Sequence, residues 1–215
     1  MVDSGSTDNT LRVAEEYGCR IYKRPLHGFG EQKSYAVKMT QNEWVLVIDA
    51  DERIPEETRS KIEEILRFPD ADAYSFPRKN IVNGRWIRHG GWWPDRVIRL
   101  FKRSCGRVSE RLVHERVIIN GRIVDLETPI IHYPIRNIED ILNKINLYST
   151  LGAQVLKERG EKGGIIKAIT FPAFEFFYNY FIRLGILDGY EGLLISLSNS
   201  IGILYKYLKL KEINR

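Results

Sequence analysis

The order of apolar and polar residues along this chain predicts an α/β protein with strands and helices in alternation. Residues 44–48, Trp-Val-Leu-Val-Ile, are apolar at every position, which is typical of a parallel strand covered on both faces. A helix is predicted over residues 55–67, where Ile62, Ile65 and Leu66 fall on one face. This order of elements favours a sheet flanked by helices.

Two further helices are predicted, one at each side of this region. The first is expected to begin at a cap formed by Ser6 or Thr7 and to run to about Tyr17, where Gly18 ends it. The second covers residues 137–160, with its first residue, an asparagine, as the cap and acidic residues in its first turn. Its apolar stripe is expected to pack on the preceding domain.

Strands are predicted between these helices. Residues 95–102 and 112–119 place polar groups within β-rich sequence, as expected of strands that carry site residues on one face. The Asn-Gly pairs at residues 83–84 and 120–121 indicate turns between strand-like runs. We therefore predict a first domain over residues 1–136, followed by the helix of residues 137–160.

The last segment, residues 161–215, is predicted to be helical and differs in composition. Aromatic side chains are dense after a hinge at residues 162–164, and Lys167 and Arg183 lie among them. Charges and Pro172 make this run a poor transmembrane span. We expect it to lie in a membrane interface with its aromatic rings in the acyl boundary. These rings are Phe171, Phe174, Phe176, Phe177, Tyr178, Tyr180 and Phe181. The alternative is an oligomer interface built from the same rings.

Candidate chemistry begins where the apolar run of residues 44–48 stops, at Asp49 and Asp51. Ligands of open α/β sheets bind beyond the carboxyl ends of the strands. Two carboxylates there supply oxygen ligands for Mg or Mn, and such a cation commonly takes substrate phosphates as further ligands. The pattern thus predicts a protein that handles a diphosphate. The alternative is a structural role for both aspartates, because the helix dipole favours negative charge near the start of the following helix.

Several segments together resemble one enzyme family. The segments are V-D-S-G-S-T-D-N-T at the start, H-G-F-G-E-Q-K-S-Y-A, V-L-V-I-D-A-D-E-R, G-W-W-P-D-R-V-I-R-L-F-K-R, L-V-H-E-R-V and P-I-I-H-Y-P. In their order and separation they resemble inverting family 2 glycosyltransferases of the GT-A fold, in the branch that adds glucose-like sugars to the inner core of bacterial lipopolysaccharide. The resemblance covers most of residues 2–155. It implies a GT-A type nucleotide-sugar-binding sheet.

The resemblance assigns roles to the donor-side residues. Asp3 would contact the nucleotide base, and Asp49 and Asp51 would bind metal and diphosphate, with Asp51 the favoured direct ligand. Lys33 would touch the nucleotide, although the family often has an Arg-Asn pair where Lys33 and Ser34 stand. A solvated helix lysine is the alternative for Lys33.

The chain departs from the family at its start. The strand and helix that normally precede the V-D-S-G-S segment are missing, about 30 residues on the scale of a βαβ unit. We therefore expect weak nucleotide binding or an unsupported sheet edge. A misplaced start, a fragment, and a complete chain that has lost catalysis all stay open.

An inverting transfer needs a general base near the acceptor hydroxyl, and a carboxylate is the usual solution. Glu115 and Asp95 are the candidates, and Glu115 is favoured because it stands beside His114 in the V-H-E segment that the resemblance marks as part of the site. Each carboxylate could instead form a salt bridge with a neighbouring arginine.

Three further side chains are candidates around these carboxylates. His132 ends a short apolar strand, where its imidazole could complete the coordination of the metal or grip the diphosphate, or be structural. Trp92 and Trp93, next to two glycines, are candidates for stacking on an acceptor sugar, as His114 is for contacting it. Tryptophans in such positions also pack cores or interfaces.

Composition and charge restrict the kinds of partner that the chain is expected to bind. With 215 residues, 43% of them hydrophobic, the chain can form one sizeable domain with an appendage. The net charge of +5 suits anionic partners such as nucleotide diphosphates and acidic lipid head groups. Two cysteines give no disulfide framework, and no secretory signal is evident. We expect a cytoplasmic protein, peripheral on the inner face of the cell membrane, and no nucleic-acid partner.

Together these observations predict a glycosyltransferase that moves a hexose from a nucleotide diphosphate sugar to a lipopolysaccharide-core or related glycolipid. By resemblance UDP-glucose is the expected donor and a divalent cation, Mg or Mn, the cofactor. Two alternatives stay open: a nucleotidyltransferase, and a catalytically inactive membrane-associated partner. Each of these proteins could form a homo-oligomer.

Overall fold

The computed structural model describes residues 1–26, 28–109 and 116–214 of the chain, in a mixed α/β fold. The strands in this part are β1 (Val2–Asp3), β2 (Tyr22–Lys23), β3 (Trp44–Leu46), β4 (Glu52–Arg53), β5 (Ala73–Val82), β6 (Arg85–Trp86), β7 (Asp95–Lys102), β8 (Gly106–Val108), β9 (Val117–Ile119), β10 (Ile123–Asp125) and β11 (Ile130–Ile135). The helices are α1 (Thr10–Glu16), α2 (Phe29–Lys38), α3 (Glu56–Arg67), α4 (Ile138–Glu158), α5 (Ile165–Phe177) and α6 (Gly189–Ile213). A π-helical turn (Tyr178–Ile182) and a 3₁₀ turn (Gly185–Asp188) separate α5 from α6.

The chain divides into two compact units, neither continuous in sequence. Unit 1 consists of Met1–Ile48, Lys61–Phe76 and Ile98–Leu126, and unit 2 of Asp49–Ser60, Pro77–Val97 and Glu127–Arg215. The strands β5 and β7 contribute residues to both. The acidic segment after β3 therefore begins unit 2, whereas the segment that opens the chain belongs to unit 1.

Unit 1 is built from short strand pairs around a small apolar core. β1 pairs with β2 and β10 with β5 in parallel, whereas β3 with β7 and β8 with β9 are antiparallel. The buried residues of the core are Val37, Val45, Ala73, Phe101 and Val108. Since these come from helix α2 and several strands, the core holds together segments that are far apart in sequence.

The apolar run of residues 44–48 differs from our prediction. β3 pairs antiparallel with β7, not in parallel, and it is an edge strand of the sheet. Val45 is buried, but Leu46 is 38% and Ile48 37% exposed, so only one face of the run is covered. Side chains alternate across a strand, and at this edge the second face carries apolar residues toward solvent. The sequence shows the apolar character of both faces but not which face is covered.

Helices α1 and α3 form in the predicted segments, but their first residues differ from the prediction. α1 begins at Thr10, later than a cap at Ser6 or Thr7 would place it, and Asp8 Oδ1 accepts a hydrogen bond from Thr10 N at 3.0 Å. Ser6 instead donates to Asp3, which removes it from the helix end. In α3, Ile62 and Ile65 are buried as predicted, whereas the predicted third member of that face, Leu66, is 44% exposed.

Unit 2 contains the remaining sheet pairs. β11 runs parallel to β5 and antiparallel to β4, and β5 forms a hairpin with β6 through the predicted Asn-Gly turn. Asn83 and Gly84 have φ angles of 48° and 79°, the left-handed region that a tight hairpin turn requires. The pairing of β11 with β5 shifts register between His132 and Ile135. Val82, Ile87 and Ile195 form the buried core beside this hairpin.

The helices of unit 2 pack on one another. α6 contacts both α4 and α5, and Lys209 on α6 donates hydrogen bonds to backbone and side-chain oxygens of Asn146, Ser149 and Thr150 on α4. As predicted, Asn137 caps α4, since its side chain accepts from Asp140 N at 2.8 Å. Over the residues that the structure describes, no helix is long and apolar enough to cross a membrane.

Candidate functional site

Asp51 and His132 are brought together by the pairing of β4 with β11 in unit 2. Glu52 stands opposite His132 in the register, and Tyr133 N donates to Asp51 O at 2.9 Å. This register places Asp51 Oδ2 3.4 Å from His132 Nε2. His132 lies inside β11 rather than at its end as we predicted, directly before the register shift. Such irregularities often re-aim a side chain next to a functional site.

Asn80 on β5 extends this contact. His132 Nδ1 lies 2.6 Å from Asn80 Oδ1, and Asn80 Nδ2 donates to Trp92 O at 3.0 Å and lies 3.5 Å from Asp95 Oδ2. The Asn80 side chain is buried, with only 2% of the residue exposed. Asp51, His132, Asn80 and Asp95 therefore form one hydrogen-bonded chain of side chains.

Arg78 and Glu52 complete the charge distribution. Arg78 Nη2 forms an ion pair with Asp95 Oδ2 at 2.6 Å, and Arg78 Nη1 lies 4.0 Å from the buried carboxylate of Glu52. Glu52 Oε2 also accepts from Asp49 N at 3.1 Å, which fixes the turn that carries both predicted acids. We refer to Asp51, Arg78, Asn80, Asp95 and His132 as the His132 centre.

The orientation of the hydrogen bond between His132 and Asn80 follows from the other contact of the Asn80 amide. Because Asn80 Nδ2 is used as a donor to Trp92 O, Asn80 Oδ1 is an acceptor and His132 Nδ1 must donate to it. Nε2 then faces the Asp51 carboxylate: with a proton it donates a hydrogen bond to that carboxylate, and with a lone pair it can share a cation with it. The hydrogen bond from His132 lowers the pKa of Asp51, and burial of the carboxylate opposes this effect.

A lone pair and a carboxylate at 3.4 Å repel unless a proton or a cation lies between them. The residues therefore fit a divalent cation: Asp51 offers oxygen and His132 offers Nε2, while Asn80 orients the ring through its other nitrogen, as partners of metal-bound histidines do. In the described ranges no three His, Cys, Asp or Glu side chains group to hold a metal alone. A cation here would need ligands from a substrate, as Mg commonly does.

Asp95 has one carboxylate oxygen left for a substrate. Its Oδ2 is used by Arg78 and Asn80, whereas its Oδ1 has no hydrogen-bond partner in the described part of the chain. The side chain is 32% exposed, so solvent or a ligand can reach it. A carboxylate held by an arginine and open on one side can accept a proton from a hydroxyl group.

The two predicted tryptophans make different contacts. Trp92 packs against the buried cluster of Val82, Ile87 and Ile195, and its carbonyl accepts from Asn80. Trp93 makes an edge-to-face contact with Trp86 at 5.0 Å between ring centroids. Both are partly exposed.

Asp3 and Lys33 belong to unit 1. Asp3 is 6% exposed and accepts from Gly5 N at 2.9 Å and from the backbone and hydroxyl of Ser6. The Ser6 hydroxyl bond is the main cause that lowers the pKa of Asp3. Asp3 thus organises the turn after β1. Lys33 is half-buried on α2. The nucleotide contacts of both residues stay predictions.

Glu115 and His114 lie outside the described residues, so their predicted roles also stay predictions. Conversely, the sequence analysis missed Arg78 and Asn80. A signal for them exists, because they stand two residues apart inside a mostly buried strand and so share one face. A charged and an amide side chain on one face of a buried strand indicate a polar site.

Comparison with known proteins relates the chain to glycosyltransferases. Residues 1–118 match the model of the family described as Glycosyl transferase family 2. Over 88% of its length the chain is 30% identical to the lipopolysaccharide core biosynthesis glycosyltransferase LpsC of Rhizobium meliloti, and the match covers 71% of that protein. An uncharacterized glycosyltransferase of Rickettsia typhi is 29% identical over 100% of this chain and 77% of its own. Crystal structures of S. aureus TarS 1-349, free and with UDP, give TM-scores of 0.43 and 0.45 at 16% and 17% identity, covering 100% of this chain and 80% of theirs.

Proposed function

The chain belongs to glycosyl transferase family 2 and is a transferase enzyme, and from this premise we propose that it moves a hexose, with UDP-glucose as donor, to a glycolipid of the lipopolysaccharide core. Membership in the family supports the binding of nucleotide sugars. The core glycolipid as acceptor is suggested by the name of the Rhizobium meliloti relative. The choice of glucose comes from sequence resemblance.

One observation supports the proposed chemistry above others. The hydrogen-bonded chain from Asp51 through His132 and Asn80 to Asp95 links a group suited to a diphosphate with a group suited to a hydroxyl. Transfer of a sugar needs both, since the diphosphate leaves on one side of the sugar and the hydroxyl enters on the other. Asn80 fixes the orientation of these groups because it is buried and bonded at both ends of its amide.

Asp51 and His132 would hold a divalent cation, Mg or Mn, with Asp49 on the same turn. Such a cation supplies positive charge that stabilises a departing diphosphate. The protein itself contributes the orientation of the His132 ring through Asn80 and the negative charge of the Asp51 carboxylate.

In the displacement step an acceptor hydroxyl oxygen forms a bond to the anomeric carbon. The bond from that carbon to the diphosphate oxygen breaks, and the diphosphate leaves with the electron pair. The proton of the hydroxyl passes to a carboxylate, for which we propose Asp95 because its Oδ1 is open and Arg78 holds its Oδ2. Glu115 is the alternative base. Attack opposite to the diphosphate inverts the anomeric configuration.

The first test is calorimetric titration of the chain with UDP-glucose, with and without Mn. We expect Mn-dependent binding that Asp51→Ala abolishes and that Glu158→Ala, the loss of an exposed carboxylate on α4, leaves unchanged. Failure of the wild-type chain to bind any nucleotide sugar would contradict the donor site. An inactive membrane-associated partner would then be the better description.

We further propose that the segment from α5 to the 3₁₀ turn rests on the cytoplasmic face of the cell membrane, where a lipid-linked acceptor is found. Phe171, Phe174, Phe177 and Phe181 are between 44% and 64% exposed, and the adjoining Ile182 is 59% exposed. Exposed aromatic rings beside basic groups suit an interface with acidic head groups. The overall charge of +5 acts in the same direction.

Vesicle sedimentation separates this proposal from an oligomer interface. We expect binding to vesicles that contain anionic lipid and loss of binding in the double variant Phe174→Ser, Phe177→Ser. The control Phe68→Ser removes a ring that is 83% exposed in unit 1. If wild-type chain does not bind vesicles but forms dimers that the double variant disrupts, the segment is an oligomer interface instead.

A further inference from the structure

A second group of side chains, outside the His132 centre, surrounds Trp86 in unit 2. An open cavity of about 360 Å³ is lined by Arg85, Trp86, Arg88, His89, Leu187 and Asp188. The Arg88 guanidinium carbon lies 4.1 Å from the centroid of the Trp86 ring, and Lys79 Nζ lies 4.8 Å from the same centroid. We refer to these lining residues, together with Lys79, as the Trp86 pocket.

The cations of the Trp86 pocket are not neutralised by protein carboxylates. Among the described residues, Lys79, Arg85 and Arg88 form no ion pair, although Arg85 Nη2 donates to Leu187 O at 3.1 Å. Arg85 and Arg88 are exposed, so a ligand can reach them. Cation–π contact with Trp86 holds two of the charges in place, but it leaves their positive charge unbalanced.

The one carboxylate of the pocket is committed elsewhere. Asp188 is 3% exposed and accepts from Arg88 N at 3.1 Å, His89 N at 2.8 Å and, at 3.0 Å, from the His89 Nδ1 ring nitrogen. Both of its oxygens therefore bind the backbone and ring of the loop, not the arginine side chains. Asp188 shapes the loop and leaves the guanidinium groups for another anion.

The loop that carries these groups also reaches the His132 centre. Asn80 O accepts from Ile87 N at 3.0 Å, and Asn80 Nδ2 donates to Trp92 O, so one residue holds both ends of the loop of residues 87–92. Gly90 N donates to Arg183 O at 2.9 Å within the same loop. Asp95, the proposed base, lies three residues after the end of this loop. The pocket is thus connected to the acceptor side of the proposed site both through the chain and by hydrogen bonds.

From this arrangement we propose that the Trp86 pocket binds an anionic group of the acceptor, a phosphate monoester or a carboxylate on a sugar next to the one that receives the hexose. Guanidinium groups match both oxyanions with paired, charge-assisted hydrogen bonds. This inference rests on the proposed transferase function. It adds a charge requirement for the acceptor that the donor site does not impose.

Calorimetric titrations with sugar probes test the pocket in the presence of Mn and saturating UDP, so that the donor site is filled. We expect glucose 6-phosphate, glucuronate or both to bind at least about tenfold more tightly than glucose, as charge-assisted hydrogen bonds would give. The phosphate and carboxylate probes distinguish the two sources of the oxyanion. Arg88→Gln should weaken the anionic probe about tenfold and leave glucose unchanged.

The matched control is Arg122→Gln, which removes the same charge from an exposed position in unit 1. Arg88→Gln is chosen first because the Arg88 side chain makes no hydrogen bond in the described part of the chain, so the fold should be unaffected. Thermal unfolding of both variants checks this.

Two results would overturn the proposal. One is equal affinity of wild-type chain for the anionic probes and for glucose. The other is unchanged binding of the anionic probes in the double variant Arg85→Gln, Arg88→Gln. If that variant keeps probe binding and loses only vesicle binding, the cations bind lipid head groups instead. UDP binding is measured separately, so that loss of donor binding and loss of oxyanion binding are distinguishable.

Discussion

The His132 centre and the Trp86 pocket both contain charged groups in unit 2, but they handle charge in opposite ways. In the His132 centre each charge has a partner, as Arg78 pairs with Asp95 and His132 lies against Asp51. In the Trp86 pocket the cations meet an aromatic ring and no available carboxylate. Groups paired with one another keep one geometry for chemistry, whereas cations without a carboxylate partner are suited to recruiting an anion.

Asn80 connects the two regions and explains how they could act together. Its amide orients His132, and its backbone and amide hold the loop that begins at Ile87. A change at Asn80 should therefore affect both regions. A change confined to the His132 centre or to the Trp86 pocket should affect only that region. The following variants test this difference.

The largest effect is expected from removing the base. Asp95→Asn should lower the rate of transfer by about 10²–10⁴-fold, the range for loss of general base catalysis, with little change in donor affinity. The measurement is kcat for UDP release with a core glycolipid acceptor. Glu127→Gln, which removes an exposed carboxylate bound to Arg96, is the control. An active Asp95→Asn enzyme combined with an inactive Glu115→Gln enzyme would assign the base to Glu115.

The next largest effect is expected from the loss of the Asp51 carboxylate. Asp51→Asn removes a charge from the proposed cation site, and the loss of about 3 kcal/mol for one charged contact corresponds to a decrease of about 160-fold in kcat/KM. Unlike Asp95→Asn, it should also weaken Mn-dependent donor binding. Donor binding that survives unchanged would separate Asp51 from the diphosphate.

Asn80→Ala should have an intermediate effect on both regions. Removal of a group that orients a metal ligand typically weakens metal affinity about 10–100-fold, and we expect this for Mn in the presence of UDP. The affinity for the anionic sugar probe should fall in the same variant, because both ends of the loop are released. If only one of the two affinities falls, the regions are independent.

The smallest effect concerns pH. Because the pKa of Asp51 is lowered in the folded chain, its ionised form stabilises the fold above the ordinary aspartate value of 3.8, and this contribution is lost as the pH falls through the lowered pKa. His132→Ala should return the pKa of Asp51 toward its ordinary value. Carbon NMR titration of the Asp51 carboxyl measures the pKa. Denaturant unfolding at pH 6 and pH 3 should show the stability difference between the two chains shrinking at the lower pH.

Much of the local structure is predictable because it depends on nearby residues. The cap of α4 at Asn137, the turn at Asn83 and Gly84 and the strand over Asp95–Lys102 all agree with the prediction, since each follows from side-chain or turn chemistry within a few positions. The Asp-Ala-Asp segment likewise stands out through its position after an apolar run, and Asp51 lies beside the predicted His132.

The predicted direction of pairing, however, is wrong for β3, and the sequence pattern did not draw attention to Arg78 and Asn80. An apolar run shows that a strand can be buried but not which neighbour it has, and so the antiparallel pairing with β7 cannot be seen in it. The helix cap predicted at Ser6 does not form, because the competing bond to Asp3 depends on how the turn folds.

The sequence by itself determined the family, the acidic segment and the helical character of the C-terminal part, because these depend on residue types and short spacings. The tertiary structure alone decided that His132 reaches Asp51, that Asn80 links it to Asp95 and that Asp188 binds the loop rather than the arginines of the Trp86 pocket. The physical reason is that each of these contacts joins strands or turns far apart in the chain. Their distances are set by sheet register, which no local pattern encodes.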